Sequence, residues 1–314
     1  MPIKMDAVKF HLDAQETVFF ARQLESIEAT VYRLLQRELK YRDLIPVSNR
    51  DNAGANTITY RMLTQVGMVK VIANYADDLP RVDVYAKEYS ANVKGLGGAI
   101  GYSTQDIRAA MMAGVDLDGE QAASLRRATR EKENNICWNG DTETGLLGVL
   151  NNTNVPTQAV PTGTGGYTWA LKTADEIIND IRLGTSKVRT QSKGVHQADT
   201  MLLPIPQYDI IAGLPRSTHS DVTVLQFVLN NKEAYGLSTI TTLPVELKLA
   251  FTGGTEDGAV IYEKDPEVLE QRIPLELILQ PVQPRNLEFI IPGEARNAGV
   301  VIRRPLAMCF LTGI

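Results

Sequence analysis

The sequence lacks most of what a metalloenzyme, a redox protein or a membrane protein needs. Its two cysteines, Cys137 and Cys309, stand far apart and fit no metal or disulfide-exchange spacing. Reduced thiols and an intracellular setting are therefore expected. The three histidines, His11, His196 and His219, are isolated from one another. No HExxH, GxSxG, CxxC or Walker A pattern occurs. No apolar run approaches the ~18 residues of a membrane span, and the first fifteen residues show no apolar signal core, so neither is expected. A formal net charge of -5 argues against a dedicated nucleic-acid binder, which would carry a basic field. Catalytic, cofactor and metal sites are all expected to be absent.

What is present is ordinary for a folded chain: 44% hydrophobic and 22% charged residues over 314 positions, long enough for two domains. The organising stretch is Tyr102 to Leu150. Ser103 with Asp106 reads as an N-cap with an acid at the third helical position. Asp118, with Glu120 in the first turn, opens a longer helix to about Cys137, roughly 30 Å in length. Its apolar stripe is thin: Ala122, Leu125, Thr129 and Ile136, interrupted by Lys132. Arg127 with Glu131 and Arg130 with Glu133 would give it a charged surface, so it is half buried at most. Asn139-Gly140-Asp141 ends it.

Ahead of this stretch, Met1 to Gln15 reads as an extended arm. Glu16 to Lys40 carries Leu24, Ile27, Val31, Leu34 and Leu35 at helical spacing. Such a stripe serves either an ordinary core or an arm that packs on a neighbouring chain. Thr57 to Met62 and Arg81 to Tyr89 alternate with period two, with Val82, Val84 and Ala86 on one face. Together they predict a long two-stranded ribbon whose tip is Asn74 to Pro80. A hairpin of this kind is marginal by itself and must lie on something. Asp77-Asp78 reads as a solvated tip rather than a catalytic carboxylate pair. Gly95, Gly97, Gly98 and Gly101 read as a flexible junction and a hinge.

Beyond Leu150 the chain turns polar and rich in Gly, Pro and Thr, which marks a boundary. Thr173 with Glu176 is a capping box before the stripe Ala174, Ile177, Ile178 and Ile181. Met201 to Leu203 reads as a buried strand, Pro206 to Leu214 and Val222 to Leu229 as short helices, and Thr241 to Ala250 as extended. This predicts an α/β unit over Asn151 to Gly258. The strand-rich remainder, from Ala259, returns to cover the long helix. Gly163-Thr164-Gly165-Gly166 follows no strand and opens no helix, so it is not a phosphate loop. Asp116 to Glu120 fits a helix start better than a calcium loop. Arg126-Arg127-Arg130 and Arg303-Arg304 are solvated or ion-paired groups.

This order of parts resembles the major capsid proteins of tailed bacteriophages, whose Hong Kong-type shell fold is shared with encapsulins. NNICWNGD at 134–141 followed by GLLGVLN at 145–151 is similar to the end of the family's spine helix and its Gly-Asp turn. ADTMLLPIPQYDIIAGL at 198–214 is similar to a strand–helix step of its axial domain, and residues 287–314 to the terminal strands of its peripheral domain. The resemblance implies an α+β fold. In it, 1–47 is an N-terminal arm, 48–98 an extended hairpin loop, 99–150 with 259–314 a peripheral domain, and 151–258 an inserted axial domain. It implies a structural role: pentamers and hexamers closing into an icosahedral shell around double-stranded DNA, in a virion capsid assembled in the host cytoplasm. The expected partners are further copies of the chain, with portal, scaffolding or decoration proteins besides, and DNA is enclosed without sequence-specific binding. Contacts between copies are expected at Leu24, Ile27, Val31, Tyr75, Asp77, Asp78 and Arg81. Some family members crosslink a loop lysine to a neighbouring Asn; Lys70, Lys87 and Lys94 lie in or near the ribbon, with nothing assigning that role to them. The alternatives are an encapsulin-type compartment holding a protein cargo and, from another class, an α/β enzyme whose site would show a pocket with converging titratable groups.

Overall fold

A computed structural model of the chain describes residues 35–71, 81–114, 117–217, 219, 221–242 and 258–314, with Leu117 and Asp118 described by backbone only. The chain divides into two compact units, Met1–Glu38 and Leu39–Ile314. Most of the first unit, including the stripe from Leu24 to Leu34, lies outside the described residues. The expected helix does not reach Lys40: residues 35–40 are irregular, and Leu39 packs on a core instead.

The second unit opens with α1 (Tyr41–Leu44) and the short β1 (Val47–Ser48). The ribbon follows as β2 (Thr57–Gly67) and β3 (Val82–Asn92), antiparallel from Thr57↔Asn92 to Gly67↔Val82. Then come β4 (Lys94–Ser103), α2 (Thr104–Ala113) and the long α3 (Leu117–Asn139). The Ser103–Asp106 capping box is present at α2, and Gly114 closes that helix in the left-handed region. After α3 come β5 (Thr157–Ala159), α4 (Ala174–Gln191), β6 (Thr200–Leu203), α5 (Ile205–Gly213), α6 (Val224–Asn230), α7 (Lys232–Tyr235) and β7 (Thr239–Thr242). The expected extension of β7 to Ala250 lies outside the described residues. The chain ends with β8 (Gly258–Tyr262), β9 (Leu269–Arg272), β10 (Leu275–Leu279), β11 (Gln283–Arg285), β12 (Glu288–Asn297), β13 (Val300–Ile302) and β14 (Met308–Thr312).

The four glycines expected to form a loose junction lie in β4, which pairs with β12 over ten consecutive positions. For Gly98 the reason is close approach. Gly98 faces Gly293 across the ladder, and Leu125 of α3 sits over the pair. A Cβ on Gly98 would come within 2.6 Å of Leu125 Cδ1, and one on Gly293 within 3.0 Å of its Cδ2. Gly98 and Gly293 thus let the long helix lie close on its sheet, β10–β12–β11 with β4.

The returning strands do not all cover α3. β8 and β14, expected with the last segment, join the sheet β5–β14–β8–β6–β7, whose other strands come from the stretch expected as an inserted unit. Period-two alternation explains this. Leu202, Val260, Tyr262, Met308 and Phe310 face a core shared with Tyr41, Cys137 and Trp138. Met201, Leu203, Ala259, Ile261, Cys309 and Leu311 face a second core with Ile177, Ile181, Val224 and Val228 of the helices. A sheet covered on both faces needs apolar residues at every position, which is how β6 and β8 read. The boundary expected at residue 258 therefore runs through this sheet.

Among its described side chains, helix α3 is fully buried only near its end. Ala122, Leu125 and Thr129 are half-buried, while Ile136, Cys137 and Trp138 are fully covered. Arg127 pairs with Glu131 at 2.7 Å, as expected. Glu133 does not serve the helix surface. It is buried, accepting from Tyr41 Oη at 2.6 Å and Arg42 Nη2 at 3.2 Å. Beyond the helix, Gly140 (φ 68°) and Gly148 lie back to back, with Cβ positions 2.4–2.8 Å from neighbouring backbone atoms. That contact fixes the Asn139–Asp141 turn.

Candidate assembly surface

The ribbon is organised by its β-branched and aromatic residues. On one face Tyr60 pairs with Tyr89, Met62 with Lys87 and Thr64 with Tyr85; on the other Arg61 pairs with Glu88, Leu63 with Ala86 and Gln65 with Val84. Ile58 at the root is buried with Val93 and Ala298. Beyond Met62 every described residue of β2 is exposed, as is β3 from Val82 to Ser90. Leu63 (71%), Val82 (64%) and Val84 (59%) make an apolar strip on the face expected for Val82, Val84 and Ala86. Met68, Val69 and Val71 continue the exposure past the strand. Each such side chain would gain about 1.5–3 kcal/mol on full burial. Among the described residues the apolar ribbon is uncovered and pairs with no other strand, which marks an interaction surface.

The root is held by stacked groups. The Arg303 guanidinium lies 5.8 Å from the Tyr60 ring, Tyr60 stacks on Tyr89 at 5.4 Å, and Lys87 Nζ lies 5.0 Å from the Tyr89 ring. Burial raises the Tyr60 phenol above its ordinary value, so it stays protonated at neutral pH. A cavity of about 450 Å³ separates this stack from Leu147, Val300 and Pro305.

A second concavity, about 750 Å³, opens beside the root and is lined by Arg50, Arg61, Arg272, Arg303 and Arg304 with Glu267, Met62 and Leu63. Behind it lies Glu270, 1% exposed. Its carboxylate accepts from Arg50 Nη2 at 3.0 Å and from Arg303, and forms an ion pair with Arg272, whose Nε lies 2.5 Å away. Asp51 accepts from Arg272 at 2.9 Å through both oxygens. Arg304 pairs with Glu267 at 2.9 Å and Arg61 with Glu88 at 2.7 Å. Arg303-Arg304 is thus the ion-paired group expected, and the cluster around it was not legible. Its members come from four segments brought together by β1–β9–β13 pairing and the ribbon.

Of the residues expected between copies, Leu24, Ile27, Val31, Tyr75, Asp77 and Asp78 lie outside the described residues. Arg81 is exposed immediately ahead of β3. Lys87 stacks at the root, and Lys94 is exposed at the start of β4. Gly163 to Gly166 is a tight turn whose Thr164 N–H and hydroxyl both donate to Glu176. His196 meets Glu263 at 2.7 Å. Cys137 and Cys309 are buried thiols raised by that burial, Cys309 to about 12. Among the described residues no group of three His, Cys, Asp or Glu could hold a metal, and no helix is long and apolar enough to cross a membrane.

The family model for major capsid proteins matches residues 67–314. Among solved structures, the chain is similar to the capsid of Myoviridae phage XM1, with a TM-score of 0.81 and 19% identity over 95% of this chain and 99% of that one. It is similar to a structure from Mycobacterium phage Ogopogo, with a TM-score of 0.60 and 14% identity over 94% and 99% of the chains. A virus-like particle from Pyrococcus furiosus is more distant, with a TM-score of 0.51 and 14% identity over 86% and 90%. No curated protein sequence matches the chain.

Proposed function

The chain belongs to the major capsid protein family and has its Hong Kong-type α+β fold, and on that premise we propose that many copies self-assemble into the icosahedral shell of a tailed bacteriophage. Pentamers and hexamers close around double-stranded DNA, with portal, scaffolding or decoration proteins as further partners, and assembly takes place in the host cytoplasm. The observation that carries this reading is the ribbon: a strip of apolar residues at 59–71% exposure that the described residues of a single copy leave uncovered. The ribbon and the 1–47 arm lie over sister copies and fasten the lattice. Interfaces of that obligate kind bury more than about 2,000 Å². Helix α3 is the spine of the peripheral domain, and the five-stranded sheet, with β8 and β14 included, is the centre of the axial domain. The role is structural rather than catalytic.

Enclosing DNA needs no tight grip on it, which suits a net charge of -5. An encapsulin-type compartment with a protein cargo is the second reading, supported by the weaker likeness to the archaeal particle. Electron microscopy of the purified full chain tests both. Closed shells or capsomers are expected, and the contents of the particle separate DNA from protein cargo. A compact monodisperse monomer at high concentration contradicts either.

A further inference from the structure

The concavity at the root of the ribbon carries chemistry that shell building does not require. Five guanidiniums line it against a single lining carboxylate, Glu267. The buried Glu270 is set behind them. From there it fixes the planes of Arg50, Arg272 and Arg303 without occupying the opening. Counting the carboxylates paired with them, the five guanidiniums stand against four, Glu88, Glu267, Glu270 and Asp51, an excess of one positive charge. Positive charge is therefore in excess at this point of an acidic chain.

We propose that this concavity is a binding site for a phosphate-class oxyanion. Guanidinium forks held in fixed orientation recognise phosphate through paired, charge-assisted hydrogen bonds, which a lysine patch would not offer. The opening, about 750 Å³, admits a diphosphate or a stretch of phosphodiester. Arg61 belongs to the ribbon and Arg50, Arg272, Arg303 and Arg304 to the body, so a bound phosphate braces one against the other. Met62 and Leu63 form the apolar side of the opening and are in place to report that bracing.

The test is titration calorimetry of the purified full chain at low salt with inorganic pyrophosphate, a short DNA duplex, and acetate as the monoanion control. Saturable binding of pyrophosphate or duplex, with acetate much weaker, is expected. Binding of pyrophosphate without duplex identifies a free phosphate compound, and binding of duplex identifies the nucleic-acid backbone as the source. Arg61→Gln with Arg304→Gln, at side chains 74% and 43% exposed, removes two forks without opening the core. It should weaken binding about tenfold or more, while Arg182→Gln on α4 leaves it unchanged. Pyrophosphate should also slow amide hydrogen exchange at Met62 and Leu63. The proposal is overturned if neither phosphate ligand saturates, if acetate binds as well, or if the double variant, folded by circular dichroism, binds like the wild type.

Discussion

Glu270→Gln removes one charge from the point where the ribbon meets the body. The wild-type carboxylate, 1% exposed, is shared by three guanidiniums. Cations bound to one carboxylate stand about 5 Å apart, and at an effective dielectric of about 20 each pair repels by about 3 kcal/mol. The carboxylate offsets that repulsion. A carboxamide does not, and it turns an N–H₂ donor toward at least one guanidinium. Arg50, 70% exposed, can swing into water, whereas Arg272 and Arg303, at 11% and 19%, cannot. The net loss is then that of a broken buried pair, about 3–5 kcal/mol. For a body of this size that lowers Tm by about 10 °C. Scanning calorimetry of the unassembled subunit measures it. A loss below about 1 kcal/mol would refute the reasoning. So would full additivity with Arg303→Gln, because groups sharing one network must couple.

Three further outcomes are expected. Lys172 and Asp180 form a buried pair at 2.7 Å, with Trp169 Nε1 also donating to Asp180. Lys172→Met should cost about 3 kcal/mol in chemical denaturation, and adding Asp180→Leu should restore most of it. Gly148→Ala should cost more than about 1–3 kcal/mol by the same assay, because its Cβ meets rigid backbone, whereas Gly95→Ala, with open space around it, should be near neutral. The Glu176 carboxyl is held down to about 2 by the Thr164 hydroxyl and by the amides of Thr173 and Thr164. A depressed carboxyl contributes stability that is full above its unfolded value of about 4.3 and is lost as pH falls toward 2. Glu176→Gln should therefore flatten that part of the acid limb in a pH-dependent melting series, and an unchanged limb would contradict the assignment.

The parts of the fold that sequence made legible are those governed by local signals. The capping box at Ser103, the length of α3 and the period-two ribbon depend on residues close in the chain, and all are present. That the ribbon needs a cover was also legible, because a two-stranded hairpin is marginal by itself, but its alternation did not say which chain supplies that cover. What escaped depends on contacts between distant segments. Gly95 to Gly101 have a loop's composition, and only pairing with β12, some two hundred positions on, makes them a strand, with Leu125 crossing at Gly98 and Gly293. The placement of β8 and β14 in the inserted unit's sheet follows from pairing that joins residues some fifty positions apart, Met308↔Tyr262 and Thr200↔Tyr262. Glu133 sits at a surface spacing on α3, but Tyr41 and Arg42 cover it. The arginine concavity had no local signature beyond Arg303-Arg304, since Arg50, Arg61 and Arg272 are single charges in unrelated stretches.

The most direct measurement compares the full chain with one in which residues 66–83 are replaced by a two-residue turn. The cut falls where Gln65 already opposes Val84, so the shortened hairpin keeps its register. Electron microscopy and melting of both proteins should show closed shells from the full chain, and from the shortened one a subunit that melts normally yet forms no stable shell. Shells of ordinary stability from the shortened chain, or its failure to fold, would contradict the claim that the ribbon exists to bind sister copies.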